Sequence, residues 1–391
     1  MENTKFETLA IRTQAEQSSH REHSVPLFLT SSFTFENAEH GAAIFNGSAK
    51  GNLYSRFSNP NTQEFIQKLC VLEGYEDGVS TASGMAAVYT SFAALLEAGD
   101  HIVVSKNSFG NTLYIAQHIL PKMGVEYTLV EIDDLEAWEQ AIQKNTKLLY
   151  LETPSNPTLK IADLHYISKL CKDHDIISIV DNCFATPYLQ RPKEFGMDLC
   201  IHSATKYIDG QGRVLGGAIL GNKEIIKTCY DFIRRTGACL SPFNAWILSK
   251  SLETLGLRMD RHCSNAMTIA TWLETQSNIE KVYYPFLNSF SQNELAKKQM
   301  DQGGGIVGFE MKGGTEKAFQ FLNSLNIHSL TANLGDSRSI ATHPSSTTHS
   351  KLDADQQKAA GIGPNFIRLS VGLENVDELI KDLDQAINSK N

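Results

Sequence analysis

The chain has 391 residues, of which 20% are charged and 41% hydrophobic, and its formal net charge is −9 at pH 7. This length and composition are typical of a globular enzyme with two or three domains, and the negative charge argues against nucleic acid as a partner. The 7 cysteines are scattered without a CxxC pair, so neither a disulfide framework nor a zinc site is predicted. Because no signal-peptide core and no run of about 18 apolar residues is present, we expect a cytoplasmic protein without a membrane partner.

Residues 1–60 are rich in Ser, Thr, Asn, Phe and Gly and show no long helical period. Extended segments and turns are predicted within them at 25–30 and 54–60. A stretch of this length that builds little core of its own is typical of an arm that lies across a neighbouring subunit. We therefore predict an N-terminal arm over 1–60 and a homo-oligomer.

A helix is predicted to begin near residue 61 and to end before Gly74. Ser83 and Gly84 then lie directly before apolar residues at helical spacing. A Ser-Gly turn at the start of a helix presents free backbone N–H groups and the positive end of the helix dipole, which suits a phosphate. Taken alone, an ordinary N-cap is the commoner explanation of such a turn.

Apolar strands alternate with polar helices from residue 100 to about 220. Strands are predicted at 101–105, 125–130, 147–151, 176–180, 199–202 and 215–220, with helices at 135–143 and 164–174. This alternation predicts a mostly parallel sheet whose ligands bind at the carboxyl ends of the strands. We assign 61–255 to a large α/β domain.

Beyond about residue 255 the pattern predicts helices at 265–276, 316–325 and 376–387 and strands at 306–311 and 366–370. We assign 256–391 to a smaller C-terminal α/β domain. Residues 303–308 match G-x-G-x-x-G, but they precede a predicted strand, whereas a dinucleotide-binding motif follows a strand and opens a helix. Close backbone packing explains these glycines better.

Lys206 follows an apolar predicted strand, lies beside Thr205 and near Ser203, and precedes a glycine-rich turn. A partly desolvated amine can form an imine with an aldehyde, and the neighbouring hydroxyls can bind a phosphate. Pyridoxal phosphate (PLP) needs both attachments. The alternative is a snorkelling lysine at a buried strand end.

Asp181 ends another predicted strand, about one strand–connection–strand unit before Lys206, so that the two side chains can reach one pocket. A carboxylate at this place either caps a turn or pairs with a cation. In the PLP interpretation the cation is the pyridinium nitrogen, which a carboxylate keeps protonated. With Lys206 so placed, the cofactor role is favoured.

Two further features of the C-terminal half contain residue types found in binding sites. His343 and His349 flank a Pro-Ser-Ser-Thr-Thr run without a Glu at the spacing of a helical zinc site, so no metal site is predicted. Arg368 lies on an apolar predicted strand. It is either a paired interior arginine or the bidentate partner of a substrate carboxylate.

The segments SATKY around Lys206, VDNCFATP around Asp181 and IRLSVGLE around Arg368 resemble the Cys/Met-metabolism family of PLP enzymes, in its cystathionine γ-synthase-like branch. The resemblance extends over about 25–383. It implies the α/β fold of type I PLP-dependent transferases, which is aspartate aminotransferase-like, with a mostly parallel sheet in the large domain. It also implies that PLP forms a Schiff base with Lys206 and that Asp181 pairs with the pyridine nitrogen.

The resemblance implies roles for further residues. Those that hold the phosphate are Ser83, Gly84, Met85, Ser203 and Thr205. Asn156 lies near the cofactor's 3′-oxygen and the substrate, and Arg368 binds the substrate carboxylate. Tyr54 and Arg56 reach the phosphate in the adjacent subunit, which implies a shared-site dimer, commonly doubled to a tetramer.

Two positions depart from the commonest pattern of the family. Phe109 replaces the tyrosine that stacks on the PLP ring, so it keeps the stacking face and loses the hydroxyl. Asn333 replaces a serine next to the substrate. With DGQGR after Lys206-Tyr207-Ile208, this pattern favours γ-replacement on an O-acylhomoserine with sulfide. Methionine γ-lyase and cystathionine γ-synthase activities are alternatives within the family, and a non-catalytic PLP-binding protein is the alternative from another class.

Overall fold

The structure is a computed structural model that describes residues 4–350, 357 and 361–389. Its N-terminal part contains two short helices, α1 (Phe6–Arg12) and α2 (Ala38–Phe45), within otherwise irregular chain. Large apolar side chains are left in solvent here: Leu29 is 70% exposed and Phe45 is 71% exposed. Large exposed apolar side chains are compatible with a surface that another chain covers, and the intersubunit arm stays a prediction.

A seven-stranded sheet organises the chain from residue 77 to 221. Its strands are β1 (Asp77–Thr81), β2 (His101–Ser105), β3 (Glu126–Val130), β4 (Thr146–Glu152), β5 (Ile177–Asp181), β6 (Leu199–Ser203) and β7 (Gly217–Gly221). They lie in the order β1-β7-β6-β5-β4-β2-β3. The five strands from β2 to β6 pair in parallel, and β7 is antiparallel to β6 and β1. The predicted mostly parallel sheet is confirmed.

Hydrophobic clusters bury both faces of this sheet. Alternate residues of β2 divide between them, Val103 on one face and Ile102 on the other. The accompanying helices are α3 (Pro60–Glu73), α4 (Gly84–Leu95), α5 (Gly110–Tyr114), α6 (Leu135–Gln140), α7 (Leu164–Asp173), α8 (Thr186–Leu189), α9 (Lys223–Thr236), α10 (Pro242–Leu252) and α11 (Leu255–Glu274). Short π- and 3₁₀-helical segments occupy Ile115–Ile119, Leu120–Met123 and Pro192–Phe195.

A five-stranded sheet follows in the order β10-β11-β12-β9-β8. Its strands are β8 (Ile279–Tyr283), β9 (Ile306–Met311), β10 (Ser329–Leu330), β11 (Ile340–Thr342) and β12 (Phe366–Ser370), accompanied by α12 (Asn293–Gln299), α13 (Gly314–Asn323), a 3₁₀ turn (Pro344–Ser346) and α14 (Val376–Ile387). The glycine run leads into β9, as predicted. A Cβ on Gly305 would lie 2.6 Å from the hydroxyl of Tyr207, so close packing requires glycine there.

One hydrophobic cluster contains buried residues of both sheets, among them Leu149 of β4 and Phe309 of β9. The sheets also meet through a polar contact, since Arg368 on β12 donates to Asn156 after β4. This contact places β12 beside the carboxyl ends of the parallel strands. The division of the chain at residue 255 stays a prediction.

Candidate active site

Lys206 lies three residues beyond the end of β6 and is half-buried. Its Nζ donates a hydrogen bond to Asn333 Oδ1 at 2.7 Å. Burial lowers the pKa of Lys206, and the charge of Arg368 lowers it further. An amine with a lowered pKa is more readily deprotonated and so more available as a nucleophile and base.

Asp181 is the last residue of β5 and faces the same end of the sheet. Its carboxylate accepts a hydrogen bond from the backbone N–H of Cys183 at 3.0 Å and one from the hydroxyl of Tyr150 at 3.4 Å. Burial raises the pKa of Asp181, an effect that the Cys183 N–H opposes. When ionised, this carboxylate would stabilise the charged form of a cation placed beside it.

The start of α4 lies against the end of β6. Ser83 is the N-cap of α4, and its hydroxyl accepts from the N–H of Ala86 at 3.1 Å. A Cβ on Gly84 would come within 2.5 Å of the Ser203 Cβ, so only glycine allows the approach. The structure thus brings Ser83, Gly84, Met85 and Ser203 together, where the free N–H groups of a 12-residue helix suit a phosphate.

Thr205 is half-buried beside Lys206. Its hydroxyl donates to the carbonyl of Gly216 at 3.3 Å and accepts from the N–H of Gly216 at 3.1 Å. These bonds fix the turn that carries Lys206, and they leave the hydroxyl one acceptor site. To donate a hydrogen bond to a phosphate, the Thr205 hydroxyl would therefore have to give up its bond to the Gly216 carbonyl.

Arg368 is 1% exposed, and no ion pair joins it to a carboxylate among the described residues. Its guanidinium donates to Asn156 Oδ1 at 2.9 Å and to the backbone carbonyl of Asn333 at 3.1 Å, and its Nε has no hydrogen-bond partner. Burial lowers the pKa of Arg368 to about 10. A buried cation without a carboxylate is costly, and an anionic ligand would offset that cost.

Asn333 joins the two cationic side chains. Its amide oxygen accepts from Lys206, and its backbone carbonyl accepts from Arg368. The amine and the guanidinium are therefore held on either side of one residue, as expected where an amino-acid substrate presents its amine and carboxylate together.

Glu152 is a site residue that the sequence analysis missed. It is the last residue of β4, it pairs in register with Asp181, and it is buried. Its Oε2 accepts from the backbone N–H of Phe109 at 2.8 Å. Burial raises the pKa of Glu152 well above its usual value, and the neighbouring Asp181 adds to the effect. The sequence carried the signal, a carboxylate at the end of an apolar strand, that had identified Asp181.

Tyr54 and Arg56 contact each other and neither contacts any other predicted site residue among those described. The Arg56 guanidinium lies 5.5 Å from the ring centroid of Tyr54 and 4.7 Å from that of Phe57. It also donates to the backbone carbonyl of Arg234. Within one chain these two residues form a separate surface.

Two groups of possible metal ligands are explained by hydrogen bonds. His343 bonds to Ser346 through Nδ1 at 2.8 Å and to the carbonyl of Pro364 through Nε2 at 2.9 Å. Glu73, Cys200 and His202 form a buried cluster beneath the sheet end, and Glu73 Oε1 lies 2.6 Å from His202 Nε2. A direct hydrogen bond of this length leaves no space for an ion between the two atoms.

The residues gathered here fit PLP. The half-buried amine of Lys206 suits an aldehyde, and the half-buried carboxylate of Asp181 suits a pyridine nitrogen. The start of α4 suits a phosphate, and the buried Arg368 suits a substrate carboxylate. When bound, PLP supplies an electron sink for the charge that develops at the substrate Cα.

Comparison with known proteins agrees with this assignment. The model of the family described as "Cys/Met metabolism PLP-dependent enzyme" matches residues 7–388. An O-succinylhomoserine sulfhydrylase of Pseudomonas aeruginosa is 42% identical over 387 residues, covering 99% of this chain and 96% of the relative. An L-methionine gamma-lyase of Porphyromonas gingivalis is 41% identical over 387 residues, covering 98% of this chain and 97% of the relative.

Solved structures show the same fold. A chain from Campylobacter jejuni whose structure contains N′-pyridoxyl-lysine-5′-monophosphate superposes with a TM-score of 0.96 at 38% identity, covering 99% of this chain and 100% of the other. The predicted type I fold and the predicted cofactor are thereby confirmed. No helix among the described residues is long and apolar enough to cross a bilayer. The chain is a PLP-dependent enzyme that belongs to the Cys/Met-metabolism family.

Proposed function

We propose that the protein is an O-succinylhomoserine sulfhydrylase, which replaces the succinate of O-succinyl-L-homoserine by sulfide and yields L-homocysteine for methionine biosynthesis. The observation that carries the proposal is the Lys206–Asn333–Arg368 arrangement. It provides an amine and a carboxylate clamp for an amino acid, in a chain 42% identical to a sulfhydrylase of that name.

Four side chains have defined roles in the proposed reaction. Lys206 attaches the cofactor and, once the substrate amine has released it, moves protons at Cα and Cβ. Arg368 holds the substrate carboxylate so that the Cα–H bond stays upright from the ring. Asp181 keeps the pyridine nitrogen protonated, and Phe109 covers the ring. Succinate leaves from Cγ with the bonding electrons, and sulfide forms the new C–S bond at the same carbon.

A methionine γ-lyase is the strongest alternative, because lyases of that name are nearly as similar to this chain as the sulfhydrylase. Phe109 favours the sulfhydrylase in our interpretation, since succinate leaves as a stable carboxylate, whereas the more basic methanethiolate of methionine benefits from a proton donor that Phe109 lacks. An O-acetylhomoserine sulfhydrylase and a cystathionine γ-synthase are further same-family alternatives. A PLP-binding protein without activity is disfavoured by the complete set of lysine, carboxylate and arginine.

We further infer a shared-site homodimer, doubled to a tetramer, with Tyr54 and Arg56 reaching the neighbour's phosphate. The separation of these residues from the rest of the site within one chain supports the inference. Seven free cysteines fit a reducing compartment, and we expect the enzyme in the cytoplasm.

The deciding experiment measures homocysteine from O-succinyl- and O-acetylhomoserine with sulfide, and 2-oxobutyrate from methionine, on one preparation. We expect the highest kcat/KM for the succinyl ester. Faster release of 2-oxobutyrate from methionine would replace the proposal by the lyase, and preference for the acetyl ester would replace it by the acetyl-specific enzyme.

A further inference from the structure

A cavity of about 760 Å³ opens on the surface that carries Arg56. Four cationic side chains line it, namely Lys50, Arg56, Arg234 and Arg235, and no carboxylate is among the lining residues. This concentration of positive charge stands out in a chain whose net charge is −9. It marks the cavity as a place for anions.

Hydrogen bonds and ion pairs hold the three arginines of this cavity in place. Arg56 donates to the backbone carbonyl of Arg234, so the arm and the end of α9 are joined. Asp231 lies outside the cavity lining and is shared by Arg234, at 3.1 Å, and Arg235, at 3.4 Å. Lys50 has no ion-pair partner among the described residues. One carboxylate therefore faces several cations, and the cavity keeps a positive charge.

The direction in which this cavity opens in the oligomer follows from the proposed function, and the present inference rests on that function. If Arg56 reaches the phosphate of the neighbouring subunit's cofactor, the cavity that contains Arg56 opens toward the neighbour's substrate. The remaining cations then lie along the wall that a substrate extending away from the PLP ring would meet.

The proposed ester has two carboxylates, one on Cα and one at the far end of the succinyl group. Within one chain, buried Arg368 suits the first, and Lys206 is committed to the cofactor and to proton transfer. A second, separate cavity lies beside Lys206 and is lined by Arg213. Arg213 already pairs with Asp209 at 3.0 Å. The lining of that cavity therefore offers no further unpaired cation for the second carboxylate.

We propose that Arg235, with Lys50, forms an anion subsite for the distal carboxylate of the acyl group bound in the neighbouring subunit. The subsite would take esters of homoserine with a dicarboxylic acid and would disfavour the uncharged acetyl group. Arg235 is the better candidate of the two arginines, because its side chain is 62% exposed against 39% for Arg234, whose guanidinium also lies over the ring of Tyr230 at 5.8 Å.

An alternative explanation of Arg235 is structural, because a cation in the last turn of α9 stabilises the helix end. The matched control is Lys227→Met. Lys227 lies on the same helix and pairs with the same Asp231, at 3.3 Å, but does not line the cavity. A structural role predicts similar small losses in both variants.

The test compares kcat/KM for O-succinyl- and O-acetylhomoserine in wild type, Arg235→Met, Arg235→Lys and Lys227→Met. We expect Arg235→Met to lower the succinyl-to-acetyl ratio about tenfold, equivalent to ~1.4 kcal/mol, with the acetyl reaction within about twofold of wild type. Arg235→Lys, which retains the charge, should keep most of the preference, and Lys227→Met should leave the ratio unchanged.

The outcomes separate this inference from the proposed function. An active wild type that prefers the succinyl ester, with an unchanged ratio in Arg235→Met, would overturn the subsite alone. Equal losses with both esters, accompanied by weaker PLP binding measured from the cofactor absorbance, would assign Arg235 to the phosphate and also overturn the subsite. A wild type without sulfhydrylase activity on either ester would refute the proposed function, and the subsite with it.

Discussion

Glu152, the last residue of β4, accepts a hydrogen bond from the backbone N–H of Phe109. It lies directly beside Asp181, the last residue of β5. Two of the proposed ring contacts, the stacking face and the carboxylate at the pyridine nitrogen, are therefore linked through neighbouring strand ends. Burial raises the pKa of both carboxyl groups, and Asp181 raises that of Glu152 further, so the pair disfavours two negative charges at these neighbouring strand ends.

We expect Glu152→Ala to lower kcat/KM about tenfold or more, because the Phe109 N–H loses its acceptor at a cost of ~1–3 kcal/mol. Glu152→Gln keeps a carbonyl acceptor without a charge and should stay within about threefold of wild type. The visible circular dichroism of bound PLP reports the ring environment and should change in the Ala variant only. Equal effects in the two variants would show that the hydrogen bond does not position Phe109.

Lys206→Ala should abolish turnover, because it removes both the amine that attaches the cofactor and the base that moves protons. The start of α4 and Ser203 remain, so the variant should still bind PLP, now removable by dialysis. Asn333→Ala is the informative companion, since it removes only the 2.7 Å hydrogen bond to Lys206 and should retain measurable activity. Activity of Lys206→Ala within about tenfold of wild type would reject Lys206 as the catalytic amine.

Much of this architecture could be predicted from periodicity. The bounds of β9, β12 and α14 were predicted without error, because buried strands and amphipathic helices leave clear patterns. β1 was missed, since its sequence DGVST is short and mostly polar. The convergence of Asp181 and Lys206 followed from parallel strands, whose carboxyl ends meet at one edge of the sheet.

Contacts between residues far apart in the chain could not be predicted in the same way. The bond from Arg368 to Asn156 joins two sheets, and no local pattern sets its length. The role of Glu152 could not be predicted from its strand, because it depends on the backbone N–H of Phe109, which is 43 residues away in the chain. The cationic cavity combines Lys50 and Arg56 with the end of α9, and each cation on its own resembles ordinary surface charge.

Tyr54 and Arg56 are predicted to act across a subunit interface. We expect Lys206→Ala and Arg56→Ala homo-oligomers to be nearly inactive alone and to regain activity when their subunits exchange. A hybrid dimer would contain one site with both Lys206 and Arg56 intact, so recovery should approach one quarter of wild-type activity for random exchange in equal amounts. Exchange shown by mass spectrometry without any recovery would contradict a shared site.

Arg368 is either a clamp for the substrate carboxylate or a structural arginine, and substitutions of Arg368 distinguish the two. Its guanidinium is buried, it binds Asn156 and Asn333, and no carboxylate neutralises it among the described residues. Removing one partner of a buried charge pair costs on the order of 2–5 kcal/mol, so Arg368→Ala should lower kcat/KM for the ester roughly 30-fold to several thousandfold. Because Arg368→Ala also removes an unpaired buried cation, we expect the Tm of the ligand-free enzyme to fall little.

Arg368→Lys should restore little activity, since a single ammonium cannot reproduce the two-pronged geometry of a guanidinium on a carboxylate. Both quantities should be measured on the same PLP-loaded preparations, and a large loss of Tm with near-normal kcat/KM would make Arg368 a structural residue.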